Sequence, residues 1–508
     1  MPVLGREHRD APVWGAVAAL TALSLLVGYL FPAAAPWALV GLAGAAVMLL
    51  WALRWDPAVV AWLWVLSYGL LDRPFWVWEI RGFFNMTIPR FAFLAAVAVL
   101  SVHLLMRRGT VRFGRALLWA MAALLICCAL SATAAGWRAE GSALPTAPYF
   151  RFLESMLFPF LMFFLVYCAA DRPQQIRTAL VMFSVYGWYA LYIGYLQYAA
   201  IMGYEGARRL IFPGYINQPS WGPNYGIHFD RARGAYAMAN PQATLLIVLF
   251  FADLYLVRRL RGPYRVAAAI QAMLIPPAIF FTGLRSAYVA FLLGGMVWLW
   301  CAGRVRLGRV KLAISGLALL LVVAAFWGNL ATQKRSIGGM AQKAPIVGRW
   351  ILAQRSWEIF THQPLTGAGF GHYIEAEHRL VSDPSLLARL GTGLATPHNL
   401  LLVMMAETGV AGLALTVLVF VLLYRQSLQL YRRLPADQEG WLSRGFVVVF
   451  WTAMAAYLVD AMLVDPLWDV PSNGLFWSLA GLMAGFNRLL EPSVLQPSLP
   501  AATAAQQA

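Results

Sequence analysis

The sequence predicts an all-α polytopic membrane protein of about 12–14 transmembrane helices, with one long outer loop that carries an amphipathic helix. Two observations and one physical constraint lead there. The 508 residues are 61% hydrophobic and 12% charged, with a mean hydropathy of +0.65, far from the averages of soluble domains. Apolar stretches of roughly 15 to 25 residues recur along almost the whole chain, each long enough to cross a hydrocarbon core of ~30 Å at 1.5 Å per residue. Because hydrocarbon offers unpaired backbone groups no partner, such stretches must be helical. The spans fall near 13–31, 37–53, 57–71, 89–106, 116–135, 152–170, 178–201, 241–260, 265–282, 286–302, 311–330, 397–424, 445–465 and 472–489. The first follows a charged start, and "PAAAP" after it has the look of a cleavage site, but the many spans that follow favour its retention. Residues 1–490 read as one transmembrane helical domain, and 491–508 as a disordered cytoplasmic tail.

Orientation follows from the cations, because Lys and Arg in short loops are held on the cytoplasmic side. The connections "RRGTVRFGR" (107–115), "VRRLRGPYR" (257–265), "RVRLGRVK" (304–311) and "RQSLQLYRR" (425–433) all fall on one face, together with both termini. Those anchors account for much of the net charge of +17, so the charge reflects topology and attraction to anionic lipid, not nucleic acid, for which no motif is present. The four cysteines, Cys127, Cys128, Cys168 and Cys301, all lie within spans and imply no disulfide framework. The opposite face holds the longer segments, about 72–88, 136–151, 203–240 and 332–396. Function in such chains collects where a long loop interrupts the spans, which places the chemistry on that outer face.

Four outer stretches hold polar groups that loop solvation explains poorly. In "FFTGLRSAYVAFLLGG" (280–295), Arg285 occupies a turn too short to lift a guanidinium well into water. It reads either as a snorkelling interfacial arginine or as a fixed cation lining a cavity. In "IVGRWILAQRSWEIFTHQPLTGAGFGHY" (346–373), Ile346, Trp350, Ala353, Trp357 and Phe360 recur at helical spacing. This predicts an amphipathic helix that lies along the membrane or caps the bundle, with Arg349 and Arg355 flanking its stripe, where either can reach lipid phosphates. The "GAGFG" that follows has no preceding strand and lies on the wrong side for a dinucleotide loop, so it reads as a tight turn.

In "HFDRARGAYAMANPQATLL" (228–246), Asn240 and Pro241 suit an N-cap and first helical position, while Arg231 and Arg233 are either solvated or face the same cavity as Arg285. In "ATPHNLLLVMMAETGVAGL" (395–413), His398 opens a helix as a cap, an interfacial group or a catalytic imidazole. Glu407, nine residues on and half a turn out of phase, is expected to pair inside the bundle. His372, Glu375, Glu377 and His378 show no recognised metal spacing and read as a solvated helix.

These four stretches, in the chain order 228–246, 280–295, 346–373 and 395–413, resemble the membrane-embedded O-antigen ligase and O-antigen polymerase family over about 228–413. The resemblance implies a GT-C-like helical bundle in a bacterial inner membrane, with both termini cytoplasmic and the outer loops periplasmic. It implies a transferase that moves a glycan from an undecaprenyl diphosphate carrier to an acceptor sugar hydroxyl, with no metal and no cofactor. A polymerase of surface polysaccharide would use a second lipid-linked repeat unit as acceptor, and this is the expectation here; a ligase would use lipid A core, or protein. Membrane lipids and a chain-length regulator complete the expected partners. The family's loop histidine and two arginines match His398, the general base, with Arg285 and Arg349; Arg233, Arg231, Asn399 and Arg355 are carried over as binding the diphosphate or sugar.

The chemistry suits these residues independently. A lipid-linked sugar diphosphate arrives activated, so the enzyme must stabilise charge growing on the leaving diphosphate and remove one proton from the acceptor. Guanidinium forks do the first at any working pH, and a mostly neutral imidazole does the second. Metal-dependent enzymes of this kind need acidic clusters in early outer loops, whereas residues 71–89 offer only Asp72 and Glu79. Tyr204, Tyr215, Trp221, Tyr225 and Tyr236 suit sugar stacking and an interfacial aromatic belt equally well. A transporter or flippase is the competing class; it would rely on intramembrane acids, for which only Asp253 and Asp460 are well placed, and no internal repeat supports it.

Overall fold

A computed structural model describes residues 57–71, 77–78, 86–106, 115–138, 148–211, 231–236, 238–302, 344–380, 397–435, 440–463 and 469–490. The spans expected at 13–31, 37–53 and 311–330, the tail, and the aromatics Tyr215, Trp221 and Tyr225 lie outside the described residues. The protein is an all-α polytopic membrane protein.

In chain order the helices are α1 (Pro57–Leu71), α2 (Ile88–Met106), α3 (Arg115–Ala135), α4 (Pro148–Ala169), α5 (Gln174–Ile201), α6 (Glu205–Leu210) and α7 (Ala239–Arg259). They continue as α8 (Gly262–Phe281), α9 (Arg285–Ala302), α10 (Ala344–His362), α11 (Tyr373–Leu380), α12 (Leu400–Arg433), α13 (Arg444–Leu463) and α14 (Val470–Leu489). Ahead of α2, β1 (Val77–Trp78) and β2 (Met86–Thr87) form a minimal antiparallel pair, with Val77 opposite Thr87. By length and composition α3, α4, α5, α7, α8, α12 and α13 each suffice to cross a membrane, and Pro89–Val102 and Arg285–Cys301 are shorter apolar segments of the same kind.

The bundle is built on close helix pairs: α14 on α4, α9 and α7 on α13, α7 on α8, α1 on α2 and α3 on α12. Small residues make the tightest approach. A Cβ on Gly481 would lie 2.5 Å from the Phe163 carbonyl oxygen, and one on Gly485 2.8 Å from that of Tyr167, so α14 meets α4 through a small-xxx-small stripe as membrane helices do. Inside α4, residues Phe152–Leu157 adopt a π turn, and the widened ladder leaves the Ser155 carbonyl to accept from Asn473 at 3.2 Å. Tyr457 donates to the same asparagine from α13, so a buried amide ties three helices. All four cysteines are free thiols.

Three expectations are decided by the structure, two of them as corrections. First, α7 begins at Ala239 with Met238 flanking it, so Asn240 is not the cap; Asn240 and Pro241 sit inside the first turn, where the missing proline N–H costs nothing. Second, of the two placements left open for α10, the structure takes the one with its apolar stripe facing outward, as lying along a membrane requires. Ile351, Leu352, Arg355, Ser356 and Ile359 are buried, whereas Trp350 is 67% and Trp357 58% exposed. The reason is environmental: at a membrane edge the most apolar face suits lipid, and the more mixed face suits the protein. Third, the run predicted as one span at 397–424 is broken inside α12 at Gly409, with φ 67° and ψ −161°. Leu400 and Phe420 would be about 30 Å apart along a straight helix, yet both line one small, mostly apolar pocket with Leu124, Phe160 and Trp477. The chain therefore doubles back at Gly409, as an arm over 400–408 and a longer helix over 410–433.

Candidate active site at one end of the bundle

One end of the bundle collects the ends of α5, α8 and α13 and the starts of α7, α9 and the α12 arm. Thr282 and Gly283 close α8: the Thr282 hydroxyl donates to the Ile279 carbonyl at 2.6 Å, and Gly283 takes φ 62°, as a helix C-terminus requires. Two residues later Arg285 is the first residue of α9, half-buried. A helix N-terminus already carries partial positive charge, so a guanidinium there reinforces an anion-attracting field.

The "RARG" turn is fastened beside it. Ala232 N–H donates to the Phe281 carbonyl at 3.0 Å. The Gln197 side-chain oxygen accepts from the Arg233 and Gly234 amides at 2.9 and 2.8 Å, and its amide nitrogen donates to the Gly234 carbonyl at 2.7 Å. Arg231 and Arg233 are both buried, and Arg231 lies within electrostatic reach of Tyr288 on α9.

Arg349 on α10 and the start of α12 come to the last turn of α13. Arg349 Nη2 donates to the Leu463 carbonyl at 3.1 Å, and Asn399 Nδ2 donates to the neighbouring Met462 carbonyl at 3.1 Å. Burial first, then the charge of Arg285, holds the Arg349 guanidinium below its ordinary pKa. Among the described residues Arg349 forms no ion pair. Solvent touches His398 directly, yet the protein around it removes much of the bulk water that would solvate an imidazolium; that desolvation, and then the Arg349 charge, lower its pKa from 6.5. Arg285 therefore lies within electrostatic reach of Arg349, and Arg349 of His398, and each guanidinium favours a neutral neighbour or an incoming anion.

Two residues expected at the substrate have other partners. Asn399 caps α12, accepting from the Leu402 amide at 3.1 Å, while its amide nitrogen holds Met462. Arg355 is buried and ion-paired with Glu377 on α11, in a small core with Ile359, Tyr373 and Ala376. In this structure Arg355 therefore meets a carboxylate, not lipid or solvent. His372 bridges the Glu375 carboxylate at 2.8 Å and the Gly136 carbonyl at 2.7 Å. Among the described residues no cluster of three acids, histidines or cysteines is placed to hold a metal. Asp253 is buried in α7, and Asp460 on α13 accepts from Thr244 at 3.3 Å.

Sequence reasoning missed Arg151. It is buried at the start of α4 and ion-paired at 2.6 Å with the fully buried Glu407; the signal available was an unexplained carboxylate inside an apolar run.

The stretch that holds Arg285, Arg349, His398 and the break at Gly409 is also the one that is similar to a known family. Residues 270–417 match the O-antigen ligase family model. Comparison with curated proteins finds no match. The O-antigen ligase match bears out the resemblance read from the outer motifs and supports lipid-linked glycan transfer as the general role, in a multi-pass membrane protein.

Proposed function

We propose that this protein is a metal-independent, inverting glycosyltransferase acting on the periplasmic face of a bacterial inner membrane. It takes an oligosaccharide from an undecaprenyl diphosphate donor and passes it to an acceptor sugar hydroxyl, polymerising surface polysaccharide repeat units. The observation that carries this reading is the series His398, Arg349, Arg285 at one end of the bundle, inside the family-matched segment.

In the proposed step the acceptor oxygen attacks the anomeric carbon from the face opposite the diphosphate. The bond from that carbon to the diphosphate oxygen breaks, and its electron pair leaves with the diphosphate. The acceptor's proton passes to His398, whose depressed pKa keeps it neutral and receptive. Arg349, held by the Leu463 carbonyl, and the half-buried Arg285 stabilise the departing anion. Arg231 and Arg233 extend the cationic lining for the diphosphate.

A second reading is favoured by the match itself, whose family is described as O-antigen ligase: single transfer to lipid A core. Purified protein in lipid, given one defined lipid-linked donor with both a core acceptor and a second donor, separates the two by product length. In the same assay wild type releases the carrier diphosphate, and His398→Ala, Arg285→Ala and Arg349→Ala each reduce release by about a hundredfold or more. Full activity in His398→Ala would refute the assignment, and movement of intact donor across liposomes without bond cleavage would favour a flippase.

A further inference from the structure

The break in α12 is filled by another part of the chain. At Gly409 the backbone enters a region closed to L side chains, and the helical hydrogen-bond ladder opens. The freed Ala406 and Glu407 carbonyls accept from the Ala368 and Gly369 amides, both at 2.9 Å, and the freed Val410 amide donates to the Pro364 carbonyl at 2.8 Å. The segment after α10 is thus spliced into the gap. Its glycines make the fit possible: a Cβ on Gly367 would lie 2.3 Å from the Glu407 carbonyl carbon, one on Gly369 2.2 Å from Ala135 Cβ, and one on Gly371 2.7 Å from Pro148 Cα. The three glycines therefore abut the α12 break, the end of α3 and the start of α4 in turn.

Glu407 joins those same elements. One carboxylate oxygen accepts from Arg151 at 2.6 Å and the other from the Gly371 amide at 2.9 Å. Its main-chain carbonyl also accepts from Ser131 at 3.0 Å, and Ser131 in turn accepts from the Phe370 amide at 3.0 Å. Two arms leave this dock. One is α10, running back about 20 Å from His362 to Arg349; the other is the α12 arm, running back about 14 Å from Thr408 to Asn399. Their far ends are fastened to the adjacent carbonyls of Leu463 and Met462. The result is a closed frame with Arg349 and His398 at the end opposite the dock.

We propose that Glu407, with Arg151 and the glycine segment Gly367–Gly371, is a positioning device that fixes the angle between α10 and the α12 arm and so sets the placement of Arg349 against His398. The proposal rests on the reading of those two residues as parts of the transfer site. Glu407 touches no substrate in this account; it acts through the frame.

The test measures geometry and kinetics separately. Spin labels on unnatural amino acids at the exposed positions Trp350 and Tyr204 report how firmly α10 is held, by double electron–electron resonance on the full-length protein in lipid. Wild type is expected to give one narrow distance distribution; Glu407→Gln keeps one acceptor oxygen for two donors and leaves the buried Arg151 charge unpaired, so it is expected to broaden the distribution and lower kcat, by less than Glu407→Ala. Glu407→Ala is expected to broaden it, with kcat down about a hundredfold and donor KM little changed. Should Glu407→Ala not fold, Glu407→Asp, a methylene short of its partners, is read the same way with smaller changes. An unbroadened distribution in the Ala or Asp variant overturns the proposal, and so does equal inactivity of Gln and Ala variants with narrow distributions, which marks a catalytic carboxylate. If wild type cleaves no donor, the transfer reading fails while the distance measurement still decides whether Glu407 holds the frame.

Discussion

Replacing Glu377 by alanine leaves the Arg355 guanidinium, only 2% exposed, without its carboxylate partner in the small core under α10 and α11. Breaking one side of a buried pair costs about 3–5 kcal/mol, because the remaining charge is stranded. At about 1.4 kcal/mol per factor of ten, opening of this region rises by roughly two to three and a half powers of ten. Hydrogen exchange followed by mass spectrometry reads that directly: amides of α11 (Tyr373–Leu380) accelerate by such a factor, while those of α7 do not. The paired change Arg355→Met with Glu377→Met should restore protection. Burial pushes the Glu377 carboxyl up despite the pull of Arg355, so desolvation outweighs attraction and an apolar pair of similar volume loses little. The double variant should also keep the wild-type donor KM, which a phosphate-binding Arg355 would not allow. Unchanged exchange in Glu377→Ala, or equal acceleration in α7, refutes the reasoning.

The remaining predictions concern the transfer site. Burial and Arg349 lower the His398 pKa, so the neutral base persists below pH 6.5 and kcat/KM should hold steady from neutrality down to that point, falling only at lower pH. Removing a neighbouring cation raises the pKa, so Arg349→Gln should move that acid limb to higher pH; a wild-type limb above 6.5, or one that Arg349→Gln leaves unmoved, contradicts the electrostatic account. Gln197→Ala removes three hydrogen bonds from the buried "RARG" turn, at about 1–3 kcal/mol for each polar group left unsatisfied. Donor KM, measured by titrating lipid-linked glycan, should rise more than kcat falls.

Much of the fold was legible because hydrocarbon imposes one rule on every span. Eleven of the expected spans lie in described residues, and each has its helix within a few residues, apart from the doubled-back α12. The inward pairing of Glu407 could be anticipated, since a carboxylate in an apolar run must find a partner, but the partner could not: Arg151 is 256 residues away, and nothing local names it. The break at Gly409 hid in a run whose hydropathy reads as a single crossing, although "ETG" at 407–409 carried the signal of a freed backbone. For α10 the period was legible but the covered face was left open, because an apolar stripe does not say whether protein or lipid will cover it.

The fastenings of Arg349 and Asn399 to α13 engage main-chain oxygens at Leu463 and Met462. Every amino acid supplies that oxygen, so the alignment of His398 and Arg349 survives turnover of the side chains beneath it. What must persist at those two positions is the height at which the helix stops, a property written in its length and invisible to any reading of residue identity alone.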